Sequence, residues 1–266
     1  MYAIRYGIYF LCEPVDPDWG RSMIVKIFSS IFRIDYQLSY KILDHLGQQL
    51  EEIIDRTKEK PFSETNGKID LLNHSISSQG KVNCGRYLLN LSINSFDGTV
   101  ENKDGYEIDR YCKNPVFNLA DHIISNLDFK SFKRFNRIGF RSFLVIYGVD
   151  IKYDKVLRYF KKINTPFVKM IENNFSDVDD AGVVLECFDD SLGNIRLSIG
   201  PYGAKDQKQF FGEELVCKEG IMLDIDWWHE KIEIPGIKLS EIAKKCQDIY
   251  NKVVSNIESG ILKEIT

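Results

Sequence analysis

The sequence predicts an α+β protein with largely antiparallel sheet covered by helices. Three observations carry that expectation. Strand-like runs recur along the chain, several separated by tight-turn residues that favour antiparallel pairing. Apolar residues at three- and four-residue spacing mark a few longer helical segments. The order, strands joined by turns and then a covering helix, occurs twice and suggests two similar α+β halves, 1–165 and 166–266, that can equally form one compact domain.

The elements follow in chain order. Tyr2 to Cys12, rich in Ile, Tyr and Phe, reads as a strand, and Pro14 to Gly20 as a loop. A helix is expected between Ser39 and Lys58, where Ile42, Leu43, Leu46, Leu50, Ile53 and Ile54 share one side, ending before Pro61. Residues 63–83 are polar, with Asn66-Gly67 and Gln79-Gly80 as turn signals, and read as a mobile segment. Tyr87 to Phe96 is a strand that Asp97-Gly98 should turn into a hairpin. Pro115 to Leu127 reads as a helix, Ile138 to Val149 as the most strand-like stretch, and Tyr153 to Ile163 as a short helix. Val183 to Cys187 and Ile195 to Ile199 form a hairpin, and Ile221 to Trp228 a further strand. The clearest element is a C-terminal helix from Leu239, with Ile242, Ala243, Cys246, Ile249, Val253, Ile257 and Ile261 on one face and Ser240 as a candidate cap.

A chain of 266 residues, 44% hydrophobic, can bury a substantial core without disulfides or metal. No apolar run approaches the roughly 18–20 residues that span a bilayer. The apolar stretch Gly7 to Cys12 is followed by Glu13 and Pro14 where a signal peptide needs small residues, so the expected compartment is the cytoplasm. The six cysteines are scattered, with no CxxC and no Cys/His cluster, and read as reduced thiols; His45, His74, His122 and His229 are equally dispersed. No cofactor is called for.

The formal charge of -4 conceals two opposed blocks. From Lys130 to Lys162 ten basic side chains face only Asp150 and Asp154, a net +8; from Glu172 to Glu233 fifteen acidic side chains face five basic ones, a net −10. Such segregation can present a surface to a polyanion or a protein, or the blocks can face each other. In Phe129 to Phe143, five aromatics interleave with Lys130, Lys133, Arg134, Arg137 and Arg141, the ingredients of single-stranded nucleic-acid binding, and Lys155 and Arg158 extend the basic character onto the next helix. Strand alternation opposes this, because it puts Ile138, Phe140 and Leu144 on a core face, and a solvated face is the default for the helix.

Asp224-Ile-Asp226 is the sharpest acidic candidate. On a strand the two carboxylates point the same way, as in sites that hold a divalent cation for phosphoryl transfer. No Walker loop, HExxH, GxSxG, GxGxxG or kinase signature completes a site. The adjacent Trp227 and Trp228 must face opposite sides of their strand, and the outward one is a candidate hot spot.

Arg137-Ile-Gly-Phe-Arg141 resembles the RIGLRY strand of a sporadically distributed bacterial family of about this length and unknown function. Leu223-Asp-Ile-Asp226 is similar to that family's LDxD strand, and the C-terminal helix follows in the right place. Ser142 stands where the family has tyrosine and Leu144 where it has asparagine, and its proline-rich opening has no counterpart in Met1 to Cys12. The resemblance implies a cytoplasmic α+β protein, and the patchy distribution is that of defence-associated cargo. The expected function is therefore a non-enzymatic interaction or sensing module of a bacterial defence or toxin-control system. Its partner would be a protein from a neighbouring gene, or nucleic acid, with no membrane. A metal-dependent phosphoryl-transfer enzyme or nuclease using Asp224 and Asp226 is the alternative.

Overall fold

A computed structural model describes residues 23–38, 46–83, 85–127, 134–175, 177–188, 193–207, 215–233 and 238–265. The expected strand at Tyr2 to Cys12 lies outside them, as do Lys130 and Lys133. The described elements are β1 (Ile24–Asp35), α1 (Leu46–Arg56), β2 (Phe62–Asp70), β3 (Ser75–Val82), β4 (Gly85–Ser92), β5 (Ser95–Glu107), α2 (Ile108–Tyr111), α3 (Pro115–Asn126), β6 (Arg134–Tyr147), α4 (Tyr153–Ile163), α5 (Thr165–Asn174), β7 (Val183–Cys187), β8 (Asn194–Tyr202), α6 (Ala204–Asp206), β9 (Gly220–Glu233), α7 (Leu239–Ser259) and α8 (Ile261–Ile265). The nine strands make one antiparallel sheet in the order β2-β3-β4-β5-β1-β6-β9-β8-β7. This is the expected α+β class, with one sheet running through both sequence halves. No helix among the described residues is long and apolar enough to cross a membrane.

Alternation along the strands divides the sheet into two unlike faces. Phe32, Phe140, Ile225 and Trp227 point to the side covered by α1, α2, α3, α4 and α7, and there the main core forms. Phe32 stands at its middle, its ring 5.5 Å from Phe96, 6.2 Å from Phe117 and 5.9 Å from Phe140. Beside this cluster lies a polar island. Tyr250 of α7 donates to Ser142 Oγ at 2.7 Å, Ser30 Oγ lies 2.6 Å from it and the Tyr111 hydroxyl 3.5 Å. All four residues are buried, and burial raises the phenol pKa values of Tyr111 and Tyr250. Among the described residues, the opposite side is covered at one end of the sheet, where Leu215 and Cys217 pack on Phe28, Val145, Tyr147 and Tyr202.

Several expectations are corrected. Residues 63–83 form the β2–β3 hairpin, with Asn66 directly opposite Gln79, so neither Asn66-Gly67 nor Gln79-Gly80 is its turn. Gly67 is needed for approach: a Cβ there would lie 2.7 Å from Leu50 Cδ1 of α1. Asp97-Gly98 sits inside β5 and the chain reverses at residues 93–94, because Ser92 Oγ accepts from the Ser95 N–H and closes that turn. Gly98 again serves packing, since a Cβ would come within 2.4 Å of Phe32 Cζ. The C-terminal helix breaks at Gly260, and its buried stripe is Leu239, Ala243, Cys246, Tyr250, Val254 and Ile257. Lys238 is its N-cap residue and supplies no side-chain cap; the Asp121 carboxylate of α3 instead accepts from Leu239 N, Ser240 N and Ser240 Oγ. That ties α7 to α3 across 118 residues of sequence. Among the described cysteines, Cys112, Cys187, Cys217 and Cys246 carry free thiols, with Cys187 exposed.

Candidate partner interface

Among the described residues, no helix packs on the middle of the second face, which is lined by polar and charged side chains. Its centre is where the opposed charge blocks meet, because the basic strand β6 lies directly beside the acidic strand β9. One row across the sheet reads Ile31, Arg141, Asp226, Arg196, Glu186, so that side chains of opposite sign alternate over four strands. Arg141 reaches diagonally to Asp224 with two hydrogen bonds, Nε to Oδ1 at 2.8 Å and Nη2 to Oδ2 at 2.6 Å. Arg137 lies 3.9 Å from Asp226, and Arg196 lies 3.6 Å from Glu186.

The same arginines lie against rings. The guanidinium of Arg137 is 5.4 Å from the centre of the Trp228 ring, and that of Arg141 is 4.9 Å from the centre of Phe143. Gly139, directly opposite Trp228, puts no side chain between Arg137 and the indole. Phe188 meets Trp228 edge-on at 6.1 Å. The two tryptophans divide as strand geometry requires. Trp227 is buried on the helix side, with Lys245 of α7 5.2 Å from its ring centre, and Trp228 is half-buried on the open side. On the β1 side of β6, Arg33 donates to Asp35 of the same strand at 2.8 Å, and Asp97 of β5 accepts a long bond from Asn90 of β4. Burial raises the carboxyl pKa of both Asp97 and Asp226; Arg137 and Arg141 pull Asp226 partly back.

The candidate binding residues therefore do not form one patch. Arg137 and Arg141 sit on the open face and Arg134 lies exposed at the start of β6, whereas Lys155 and Arg158 belong to α4, which covers the other side through Val156 and Phe160. Arg33, Arg196, Glu186 and Phe188 join the open face without having been singled out. Only a nine-strand register brings them there, and the hairpin β7–β8 was the one sequence signal that could have placed Arg196 opposite Glu186.

Asp224 and Asp226 do share a face, as the Asp-x-Asp spacing requires, but Arg141 holds both oxygens of Asp224, so a divalent ion would have to displace a guanidinium. Among the described residues no group of three or more His, Cys, Asp and Glu side chains is placed to hold a metal. The two carboxylates should respond oppositely to neutralisation. A folded pKa raised above the unfolded value means that the ionised Asp226 costs stability at neutral pH, a cost that fades as pH falls through the folded pKa. Asp226→Asn is therefore expected to leave urea stability at pH 7 unchanged or slightly raised. Asp224→Asn should lower it by about 1 kcal/mol, the bidentate geometry being discounted for the half-exposed Arg141. Equal losses in both variants would contradict this.

No family model matches this chain, and no curated protein matches it.

Proposed function

We propose that the chain is a non-catalytic binding module that takes a protein partner on the open face of its sheet, around Arg137, Arg141 and Trp228. The observation that carries this reading is the pairing of each central arginine with both a carboxylate and a ring, on a face no described helix covers. Tryptophan and arginine are the residues most enriched among interface hot spots. A phosphate backbone selects cations that nothing else neutralises. Here Arg141 is held by Asp224 and Arg196 by Glu186, so the balanced face suits a protein with mixed charges better than a nucleic acid.

In this reading the module acts in the bacterial cytoplasm, within a multi-gene defence or toxin-control system, and its partner is encoded beside it. The chain is built of two similar α+β halves, 1–165 and 166–266, which meet where β6 pairs with β9, and the open face spans both.

The test is recovery of a tagged full-length chain from its own host. The expected result is that a neighbouring gene's product co-purifies, that Trp228→Ala weakens its binding by about 30-fold or more, and that Lys155→Ala with Arg158→Ala leaves it intact. Binding that survives Trp228→Ala and Arg137→Ala, or a partner that proves to be nucleic acid held in a steeply salt-dependent way, overturns the reading.

A further inference from the structure

The two edges of the sheet are unlike. At one end β2 carries Glu64, Lys68 and Asp70 along the sequence Phe-Ser-Glu-Thr-Asn-Gly-Lys-Ile-Asp, charges of the kind that prevent an edge strand from pairing with another chain. At the other end β7 reads Val-Val-Leu-Glu-Cys, and its one charge, Glu186, is already engaged by Arg196 of its own chain. Val184 is exposed on the open side, Leu185 is 58% exposed on the helix side, and Phe188 just beyond is 67% exposed. No described strand pairs with the outer side of β7.

Helix α5 adjoins this edge. Asn164, immediately before it, donates to the carbonyl of Gly182, immediately before β7. Val168 is its one buried residue. Its other large apolar side chains, Phe167, Met170 and Ile171, are exposed, Phe167 at 67%, as are Ile163 at the end of α4 and Phe175 just beyond α5, the latter at 82%. A helix with its large apolar side chains in water is incomplete. With rings and large aliphatic side chains of roughly 150–250 Å² each, these side chains and the β7 edge together expose on the order of 800–1,000 Å² of apolar surface. It matches the ~800 Å² that each partner contributes to a stable interface.

We infer that this edge is the two-fold interface of a homodimer, in which β7 pairs antiparallel with β7 of a second copy while the apolar side chains of the two α5 helices bury each other. Within it Glu186 lies 3.6 Å from Arg196, and at its margin Lys161 and Glu172 lie 3.9 Å apart. A strand paired about Leu185 sets Val183 against Cys187 and Val184 against Glu186 of the other copy, so no charge meets its like. The contact is isologous and closes at two, whereas the charged β2 edge stops further growth of the sheet.

The test is the solution mass of the full chain by light scattering and sedimentation under reducing conditions. The expected mass is twice the 30.8 kDa of one chain. Leu185→Lys and, separately, Phe167→Glu should each convert it to a monomer with unchanged circular dichroism, while Lys68→Leu on the opposite edge keeps the dimer. A wild-type monomer overturns the inference, as does a dimer that persists in both β7 and α5 variants.

Discussion

Phe32→Ala is expected to destabilise the protein by about 3–5 kcal/mol, the range for removing a buried aromatic ring. Phe32 is 1% exposed and touches rings from three other elements, Phe96 of β5, Phe117 of α3 and Phe140 of β6. The cavity has little means of collapsing. Its floor is the backbone at Gly98, where no side chain can move in, and its walls are rings already packed on one another. Since domains are stable by about 5–15 kcal/mol in total, the loss is a large fraction of the whole. It should appear in urea unfolding as a lower midpoint with unchanged slope. A change below about 1 kcal/mol would mean that the ring cluster does not hold the sheet to α3.

Ser142→Ala is expected to cost about 1–3 kcal/mol although it removes a single oxygen, because it takes a partner from the buried hydroxyls of Tyr250, Tyr111 and Ser30 and leaves them only one another and Cys246. The decisive measurement is the cycle with Tyr250→Phe. If the cost of the first change is an orphaned phenol, removing that phenol as well should recover 1–2 kcal/mol, so the double variant is less destabilised than the sum of the singles. Additive losses would show that the two hydroxyls are not coupled. Ser142 is small enough for Tyr250 to reach it from α7.

How much of this was legible depended on where each element's apolar residues sit. Helices α3, α4 and α7 and strands β6 and β9 each bury a regular stripe, and their periodicity revealed them within a few residues. Strand β1 went unread because Ser29 and Ser30 interrupt its apolar run and a bulge after Ile27 shifts the alternation. The β2–β3 hairpin reads as a mobile segment because much of its surface is solvated and its Gly67 serves packing on α1, not a turn. The charge blocks were visible in the sequence. Their meeting was not, because it rests on pairing residues such as Arg141 and Asp224, which lie 83 positions apart. For the same reason the candidate residues on α4 could not be separated by sequence from those on β6.

The place of β6 in the sheet also orders the steps by which the chain can fold. Its neighbours are β1, whose Ser30 lies 112 residues before Ser142, and β9, whose Asp224 lies 83 residues after Arg141. The strands from β2 to β5 are joined by short reversals and can zip up locally as they emerge from the ribosome. The middle of the sheet closes loops many times longer, a loss of chain entropy that must be met before native pairing repays it. Until β9 is synthesised, one edge of β6 has no native partner strand, and the apolar run Phe143 to Tyr147 stands along it. That interval, rather than the finished sheet, is when this protein is most exposed to aggregation.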